Sequence, residues 1–270
     1  MKRKKQFELI TIGTELTNGS TINTNGYWLA KEIRKHGGTV NRITMISDDL
    51  KEIKSVIDET IKRNPDFIIT TGGLGPTPDD KTFEGVAKAL ELKIRIDKRI
   101  ADLIKQKYNN FKIPEQNRLI KFRLKMARIP ENSEIIVNKL GTAPGIIIKK
   151  DSVAIICLPG VPNELKKMFR SIINNLIKPK YKNQSIHKEI NYKIECDGEV
   201  SLIPLIKRLK KKYGSIDMYI KTHPQKMNRH GHNNYVRFQI IICSDEEKIK
   251  NVMFSIDKEI KNEINNLCRN

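Results

Sequence analysis

The stretch DFIITTGGLGPTPDDKT, residues Asp66–Thr82, indicates the fold class of this chain. It begins with Asp66–Thr70, where β-branched and aromatic residues predict a buried strand. A loop with three glycines follows, and a helix is predicted from about Asp80 to Leu90. A strand that leads through a glycine-rich loop into a helix is typical of an α/β protein.

The residues before this stretch repeat the same alternation. Apolar runs predict strands at Phe7–Ile12 and Thr39–Ile46. Helical spacing of apolar residues predicts helices at Asn25–Lys35 and Lys51–Arg63. Because strand and helix alternate three times, we expect parallel strands with helices on both faces of the sheet.

The residues after this stretch complete a first domain. We predict helical segments within 97–125, strands at 134–137, 145–148 and 153–158, and a helix at 164–177. The polar residues 178–184 lack periodicity and predict a linker. The first domain, residues 1–178, is therefore expected to be a three-layer α/β/α sandwich with a mostly parallel sheet.

A different pattern follows the linker. We predict a strand at 188–195, a helix at 200–212, strands at 216–221 and 235–243, and a helix at 246–267. This order is typical of a small α+β domain of the ferredoxin-like type, here residues 186–270.

Composition limits the function classes only coarsely. The 270 residues carry a net charge of +20, which attracts polyanions, so nucleic acid and small phosphorylated molecules are both candidate partners. Because the basic excess is spread along the chain, a background composition rich in Lys and Ile is an equally good interpretation, and no known nucleic-acid-binding motif is visible. No run of about 18 apolar residues exists, which predicts no membrane span and a cytoplasmic location. None of the four cysteines forms a CxxC pair, and we expect reduced thiols.

The chemistry is expected where the predicted parallel strands end. Ligands of open α/β sheets bind outside the carboxyl ends of the strands. Glycines, hydroxyls and carboxylates follow four of the predicted strands, at residues 13–15, 47–49, 72–82 and 159–162. The sequence therefore predicts that these loops meet at one edge of the sheet.

The glycine-rich loop is the strongest candidate for a phosphate site. Three glycines allow a ligand to approach the backbone closely, and the amides of such a loop can hold an anion. The positive end of the following helix would favour the same anion. The alternative is a tight connection in which Asp79 or Asp80 caps the helix.

Two aspartates are candidates for a metal site. Asp48 and Asp80 follow neighbouring strands, and Mg²⁺ commonly uses one or two carboxylates together with substrate phosphates. We expect them, with Glu15 as a further candidate, to hold a divalent ion or position water. The alternative is that Asp48 or Asp49 caps the helix that begins near Leu50. A second metal-site candidate, the histidines of one loop, is far weaker: His223, His230 and His232.

These loops together resemble the competence/damage-inducible (CinA) protein family over about residues 7–177. The matching segments include 13–16, 23–25, 48–49, 72–82, 141–145 and 158–164. The resemblance implies a molybdopterin-binding (MoaB/Mog-like) fold in the first domain, the family's small α+β domain after it, and a dimer or trimer. It implies a metal-dependent pyrophosphatase acting on ADP-ribose, with Mg²⁺, Mn²⁺ or Co²⁺ as cofactor, or a molybdopterin-binding or adenylyl-transferring protein.

The resemblance also implies residue roles. Asp48 and Asp80 match two aspartates that are important in molybdopterin adenylyltransferases, and we expect them to be catalytic and metal-binding. Expected substrate-binding residues are Gly13, Glu15, Asn25, Gly72, Gly73, Gly75, Thr77, Asp79, Thr82, Pro144, Gly145, Gly160 and Glu164. The chain departs from the family at Thr14, where an acidic residue is usual. Because the sequence ends at Asn270, we do not expect the family's nicotinamide-mononucleotide deamidase domain.

Three functions remain open at this point. The first is hydrolysis of an ADP-ribose-like phosphoanhydride, and the second is molybdopterin binding or adenylyl transfer. The third is a non-catalytic module that binds nucleotides or nucleic acid, for which the net charge is the main argument.

Overall fold

The computed structural model describes residues 4–109, 116–177, 186–195, 199–224, 235–244 and 246–267. The chain divides into two compact units, one comprising Met1–Arg34 and Gly38–Pro179 and the other containing Lys180–Asn270. The domain boundaries predicted from the sequence stay a prediction.

The first unit is built on a six-stranded, mostly parallel sheet with the strand order β2-β1-β3-β8-β7-β6. Its strands are β1 (Gln6–Ile12), β2 (Thr39–Ile46), β3 (Phe67–Thr71), β6 (Glu134–Ile136), β7 (Gly145–Lys150) and β8 (Val153–Leu158). β1 pairs in parallel with β2 and β3, and β3 pairs in parallel with β8. β7 pairs antiparallel with β8 and with β6. The predicted mostly parallel sheet is confirmed.

Helices cover both faces of this sheet. They are α1 (Thr14–Thr17), α2 (Thr24–Lys35), α3 (Leu50–Lys62), α4 (Thr82–Ala89), α5 (Lys98–Asn109), α6 (Gln116–Arg123) and α7 (Pro162–Ile177). α2 and α7 contribute to one buried cluster, whereas α3, α4 and α5 contribute to the other. Along β3, Ile69 faces the first cluster and Ile68 the second, as the alternation of side chains along a strand requires. The predicted three-layer sandwich is therefore confirmed.

Two features of the first unit were absent from the sequence prediction. The short strands β4 (Ile94–Ile96) and β5 (Arg128–Pro130) form a separate antiparallel pair. Three residues each are too few to produce a readable alternation. The four-residue helix α1 also follows β1 directly, where the sequence suggested only a loop.

The second unit is a split β-α-β arrangement. Its elements are β9 (Ile186–Glu195), α8 (Ile203–Lys212), β10 (Asp217–Pro224), β11 (Tyr235–Ser244) and α9 (Glu246–Leu267). β11 lies between β10 and β9 and pairs antiparallel with both. The expected α+β organisation is confirmed. His223 belongs to β10 rather than to a loop, and His230 and His232 lie outside the described residues.

The cysteine and membrane predictions can be compared with the described part of the chain. Cys157 is a free, fully buried thiol, and burial raises its pKa to about 12, which makes it unreactive at neutral pH. Cys196 and Cys268 lie outside the described residues. Within the ranges given above, no helix combines the length and apolar character that crossing a bilayer requires.

Candidate functional site

An open cleft of about 590 Å³ lies in the first unit, where the loops that follow β1, β2, β3 and β8 meet. A volume of this size falls within the usual range for small-molecule sites. Residues predicted for the site from the sequence line it together: Gly13, Glu15, Asn25, Asp48, Gly72, Gly73, Gly75, Asp79, Asp80, Gly160 and Glu164. The prediction that these loops meet at one edge of the sheet is confirmed.

Glycine is required at the floor of the cleft because backbone segments approach one another closely. Gly72 has a φ of +98°, and a Cβ on it would lie 2.1 Å from the carbonyl oxygen of Ile12. Gly73 has a φ of +63°, and a Cβ there would lie 2.3 Å from Thr82 Oγ1. A Cβ on Gly160 would lie 3.4 Å from Gly72 Cα. The ends of β1, β3 and β8 therefore pack against each other through backbone atoms.

Thr82 supports the glycine-rich loop from below. Its side chain is fully buried, and its hydroxyl donates to the Gly72 carbonyl at 2.8 Å. Its backbone N–H donates to the Gly73 carbonyl at 3.1 Å. The first amide of α4 is thus used inside the loop, and binding of an anion by the other amides stays a prediction.

The aspartates of this loop do not cap α4. The helix begins at Thr82 after Lys81, with no side-chain cap, so the capping alternative for Asp79 and Asp80 is wrong. Instead, Asp80 Oδ2 accepts from the backbone N–H of Thr77 at 2.8 Å and lies 2.6 Å from its hydroxyl. The same Thr77 hydroxyl bonds Asp79, and this hydrogen bond holds the pKa of Asp79 below its usual range.

Asp48 is held in a closely similar way. Its Oδ2 accepts from the backbone N–H of Thr14 at 2.8 Å and from the Thr14 hydroxyl at 3.0 Å. Its neighbour Asp49 is the N-cap of α3 and accepts from the amides of Lys51 and Glu52. The capping alternative is therefore correct for Asp49 and wrong for Asp48, whose carboxylate lines the cleft.

Each cleft aspartate keeps one oxygen available. The Oδ1 atoms of Asp48 and Asp80 accept no hydrogen bond from any residue that the structure describes. Two oriented carboxylates with open oxygens suit a divalent cation that takes its other ligands from a phosphorylated substrate and water. No cluster of three or more metal-ligating side chains exists within the described ranges, so a purely protein-made metal cage is absent there.

Asn25 contributes an unused acceptor. Its Nδ2 donates to the Gly160 carbonyl at 2.7 Å, which fixes the orientation of the amide because a carbonyl can only accept. Its Oδ1 is buried and has no hydrogen-bond partner in the part of the chain that the structure describes. A buried carbonyl oxygen without a partner is unfavourable, and a ligand N–H would satisfy it.

Four predicted site residues are not among those that line the cleft: Thr77, Thr82, Pro144 and Gly145. Thr77 orients the two aspartates beside it, and Thr82 supports the loop. Gly145 begins β7, and a Cβ on it would lie 2.8 Å from the Cys157 carbonyl oxygen. The structure shows structural contacts for Thr77, Thr82 and Gly145, whereas ligand contact of all four residues stays a prediction.

Sequence reasoning missed a wall of the cleft that α5 and α6 build. Tyr108 of α5 and Arg123 of α6 line the cleft, as does Thr142 of the loop before β7. Lys107 donates to the Gly141 carbonyl at 2.7 Å, and Lys125 donates to the Thr77 carbonyl. These residues follow no parallel strand. The rule that ligands bind beyond the carboxyl ends of parallel strands, which identified the other loops, therefore could not identify them.

The fold is a MoaB/Mog-like α/β sandwich, with an open cleft at the carboxyl ends of its parallel strands. Residues 8–179 match the family model described as a probable molybdopterin binding domain, and the chain belongs to this family. The family resemblance inferred from the motifs is thus confirmed.

Relatives extend the similarity beyond this domain. A protein of Saccharolobus islandicus is 39% identical over 257 residues, which cover 95% of this chain and 92% of the relative. A protein of Saccharolobus solfataricus is 37% identical over 268 residues, 97% and 94% of the two chains. Among solved structures, the protein CinA from Thermoplasma acidophilum is 37% identical with a TM-score of 0.58, covering 64% of this chain and 99% of that one.

Proposed function

We propose that the cleft binds a phosphorylated pterin of the molybdopterin class, or the adenylylated form of such a pterin. The observation that carries this proposal is the convergence of the Gly72–Gly75 backbone with Asn25, Asp48 and Asp80 in one cleft of about 590 Å³. Membership of the family described as a probable molybdopterin binding domain supports the same ligand class.

Each part of the ligand has a complementary group in the cleft. A phosphate is accommodated by the glycine-rich loop, whose glycines line the cleft and carry no side chain of their own. The amino or ring N–H groups of a pterin or adenine suit the unpartnered Asn25 Oδ1. Asp48 and Asp80 suit a divalent cation that neutralises the phosphate. In each carboxylate a threonine fixes one oxygen, and the other oxygen is open to the cation.

A second candidate is metal-dependent hydrolysis of an ADP-ribose-like phosphoanhydride. The open oxygens of Asp48 and Asp80 favour it, because a bound divalent ion would supply charge stabilisation and an activated water. In that reaction water attacks one phosphorus, the bridging oxygen leaves with the other phosphate, and AMP and ribose 5-phosphate are released. Both candidates use the same carboxylates, so product analysis separates them.

The experiment incubates the purified chain with molybdopterin plus ATP, with ADP-ribose and with FAD, each with Mg²⁺, Mn²⁺ or Co²⁺. Retained or adenylylated pterin supports the first candidate, and AMP release from ADP-ribose supports the second. Asp80→Asn should reduce ligand retention or turnover by about a hundredfold, since it removes charge from a metal-dependent site. Asp49→Asn is the matched control, because Asp49 caps α3 and does not line the cleft. Full metal-dependent function in Asp80→Asn would refute the role given to this carboxylate.

A further inference from the structure

Arg123 stands at the end of α6 and lines the cleft beside Tyr108. Its guanidinium carbon lies 3.9 Å from the centroid of the Tyr108 ring, so the two planar groups are in close contact. The Tyr108 hydroxyl in turn shares a hydrogen bond of 2.8 Å with Thr142 Oγ1. The cation therefore lies against the aromatic ring, a contact that does not itself need an N–H hydrogen bond.

One nitrogen of the guanidinium has no partner among the residues that the structure describes. This nitrogen, Arg123 Nη1, is buried. Three carboxylates line the same cleft, and among the described residues none of them pairs with Arg123: Asp48 bonds Thr14, Asp80 bonds Thr77 and Glu164 bonds Asn138. A guanidinium is always charged, and leaving its donors buried without an acceptor is unfavourable. An anionic ligand in the cleft would remove this cost.

We infer that Arg123 is the binding residue for a second anionic group, distinct from the phosphate held at the Gly72–Gly75 loop. This inference rests on the proposed function, because it assigns the second group to a ligand of the same cleft. The ligand class is a diphosphate, either a nucleoside diphosphate or an adenylylated pterin, in which two phosphates are joined by an anhydride. One phosphate binds the backbone amides of the loop, and the other accepts hydrogen bonds from the N–H groups of Arg123.

Two further observations favour a diphosphate over a single phosphate. The cleft is large enough for a ligand with more than one phosphate and a ring system. Arg123 is separated from the glycine-rich loop along the chain and stands on another wall, built by α5 and α6, so it does not duplicate the loop. Guanidinium groups commonly bind phosphate through two parallel hydrogen bonds, and an ammonium group cannot reproduce this geometry.

The test compares two probes in Mg²⁺ by calorimetry: AMP, which has one phosphate, and α,β-methylene-ADP, which has two and cannot be cleaved. For Arg123→Gln we expect the affinity for α,β-methylene-ADP to fall tenfold or more, while the affinity for AMP changes less than twofold. Arg123→Lys should recover only part of the loss. The matched control is Lys121→Gln, an exposed residue of the same helix that does not line the cleft, and it should leave both affinities unchanged.

Thermal unfolding without ligand separates binding from a structural role. If Arg123 serves a ligand, Arg123→Gln should leave the Tm of the ligand-free protein unchanged or raise it, because the variant removes an unsatisfied buried donor. A clear fall in Tm would instead assign the residue to packing against Tyr108 and overturn the inference. Equal weakening of both probes, or no weakening of either, would also overturn it. If the wild-type protein binds neither probe and no pterin, the proposed function itself fails.

Discussion

The two units of this chain use their polar side chains in opposite ways. In the second unit, Glu259 of α9 receives hydrogen bonds from Lys212 and Tyr213, and Asp257 receives one from Tyr192. In the cleft of the first unit, Asn25 and Arg123 each keep a buried polar atom that has no partner among the described residues. The polar groups that join α9 to the rest of the second unit thus stabilise the fold, whereas the cleft contains polar atoms that a bound ligand would satisfy.

The largest effect is expected at the floor of the cleft. Gly72→Ala places a Cβ 2.1 Å from a backbone oxygen and forces a side chain into positive φ, so it should cost about 4 kcal/mol of stability. Gly19→Ala is the control, because Gly19 has a φ of +80° with open space around it and should lose only about 1 kcal/mol. Urea denaturation measures both variants. Similar losses of stability in the two variants would mean that Gly72 does not pack tightly against the Ile12 carbonyl.

The next effect concerns the threonine that orients Asp48. Thr14→Val removes the hydroxyl bond to Asp48 Oδ2 but keeps the backbone N–H bond, so the affinity for ADP in Mg²⁺ should fall three- to tenfold. Thr17→Val, which loses only a bond to the Thr14 carbonyl, is the control on the same short helix. Unchanged affinity in Thr14→Val would show that the position of Asp48 does not depend on this hydroxyl.

A smaller effect is expected in the second unit. Although burial raises the pKa of Glu259, hydrogen bonds from Lys212 and Tyr213 outweigh it and lower this pKa. Glu259→Ala leaves the buried Tyr213 hydroxyl without this partner and should cost about 1 kcal/mol in urea denaturation. Glu263→Ala loses only the bond to the more exposed Arg208 and should cost less. Neither variant should alter ADP affinity, and a change would break the division of roles between the units.

The smallest effect is a pH dependence at the start of α3. The amide of Glu52, followed by that of Lys51, holds the pKa of Asp49 below its usual value, so the charged form favours the folded state. This contribution is present above the unfolded pKa of about 3.9 and is lost as pH falls through the lower folded pKa. The stability difference between wild type and Asp49→Asn should therefore shrink below about pH 4, as followed by urea midpoints. A difference independent of pH would contradict this assignment.

The sequence allowed much of the first unit to be predicted because its strands are apolar runs followed by glycines or carboxylates. Phe67–Thr71 and the loop after it illustrate this, since strand, turn and helix each leave a local signal. Arg123 and Tyr108 could not be predicted, because they lie on amphipathic helices whose pattern predicts only a buried and an exposed face. Nor could the sequence decide which of Asp48 and Asp49 caps α3, because both are good capping residues.

The two lysine contacts at the α5–α6 wall have a consequence for ligand binding. Lys107 of α5 donates to the Gly141 carbonyl, and Lys125, two residues after α6, donates to the Thr77 carbonyl, so this wall is attached to two separate loops before any ligand arrives. Preorganisation of this kind lowers the entropy lost on association. A ligand that enters would find the guanidinium of Arg123 already in position. Loss of either lysine contact would loosen the wall, and the ligand's dissociation rate would then change more than its association rate.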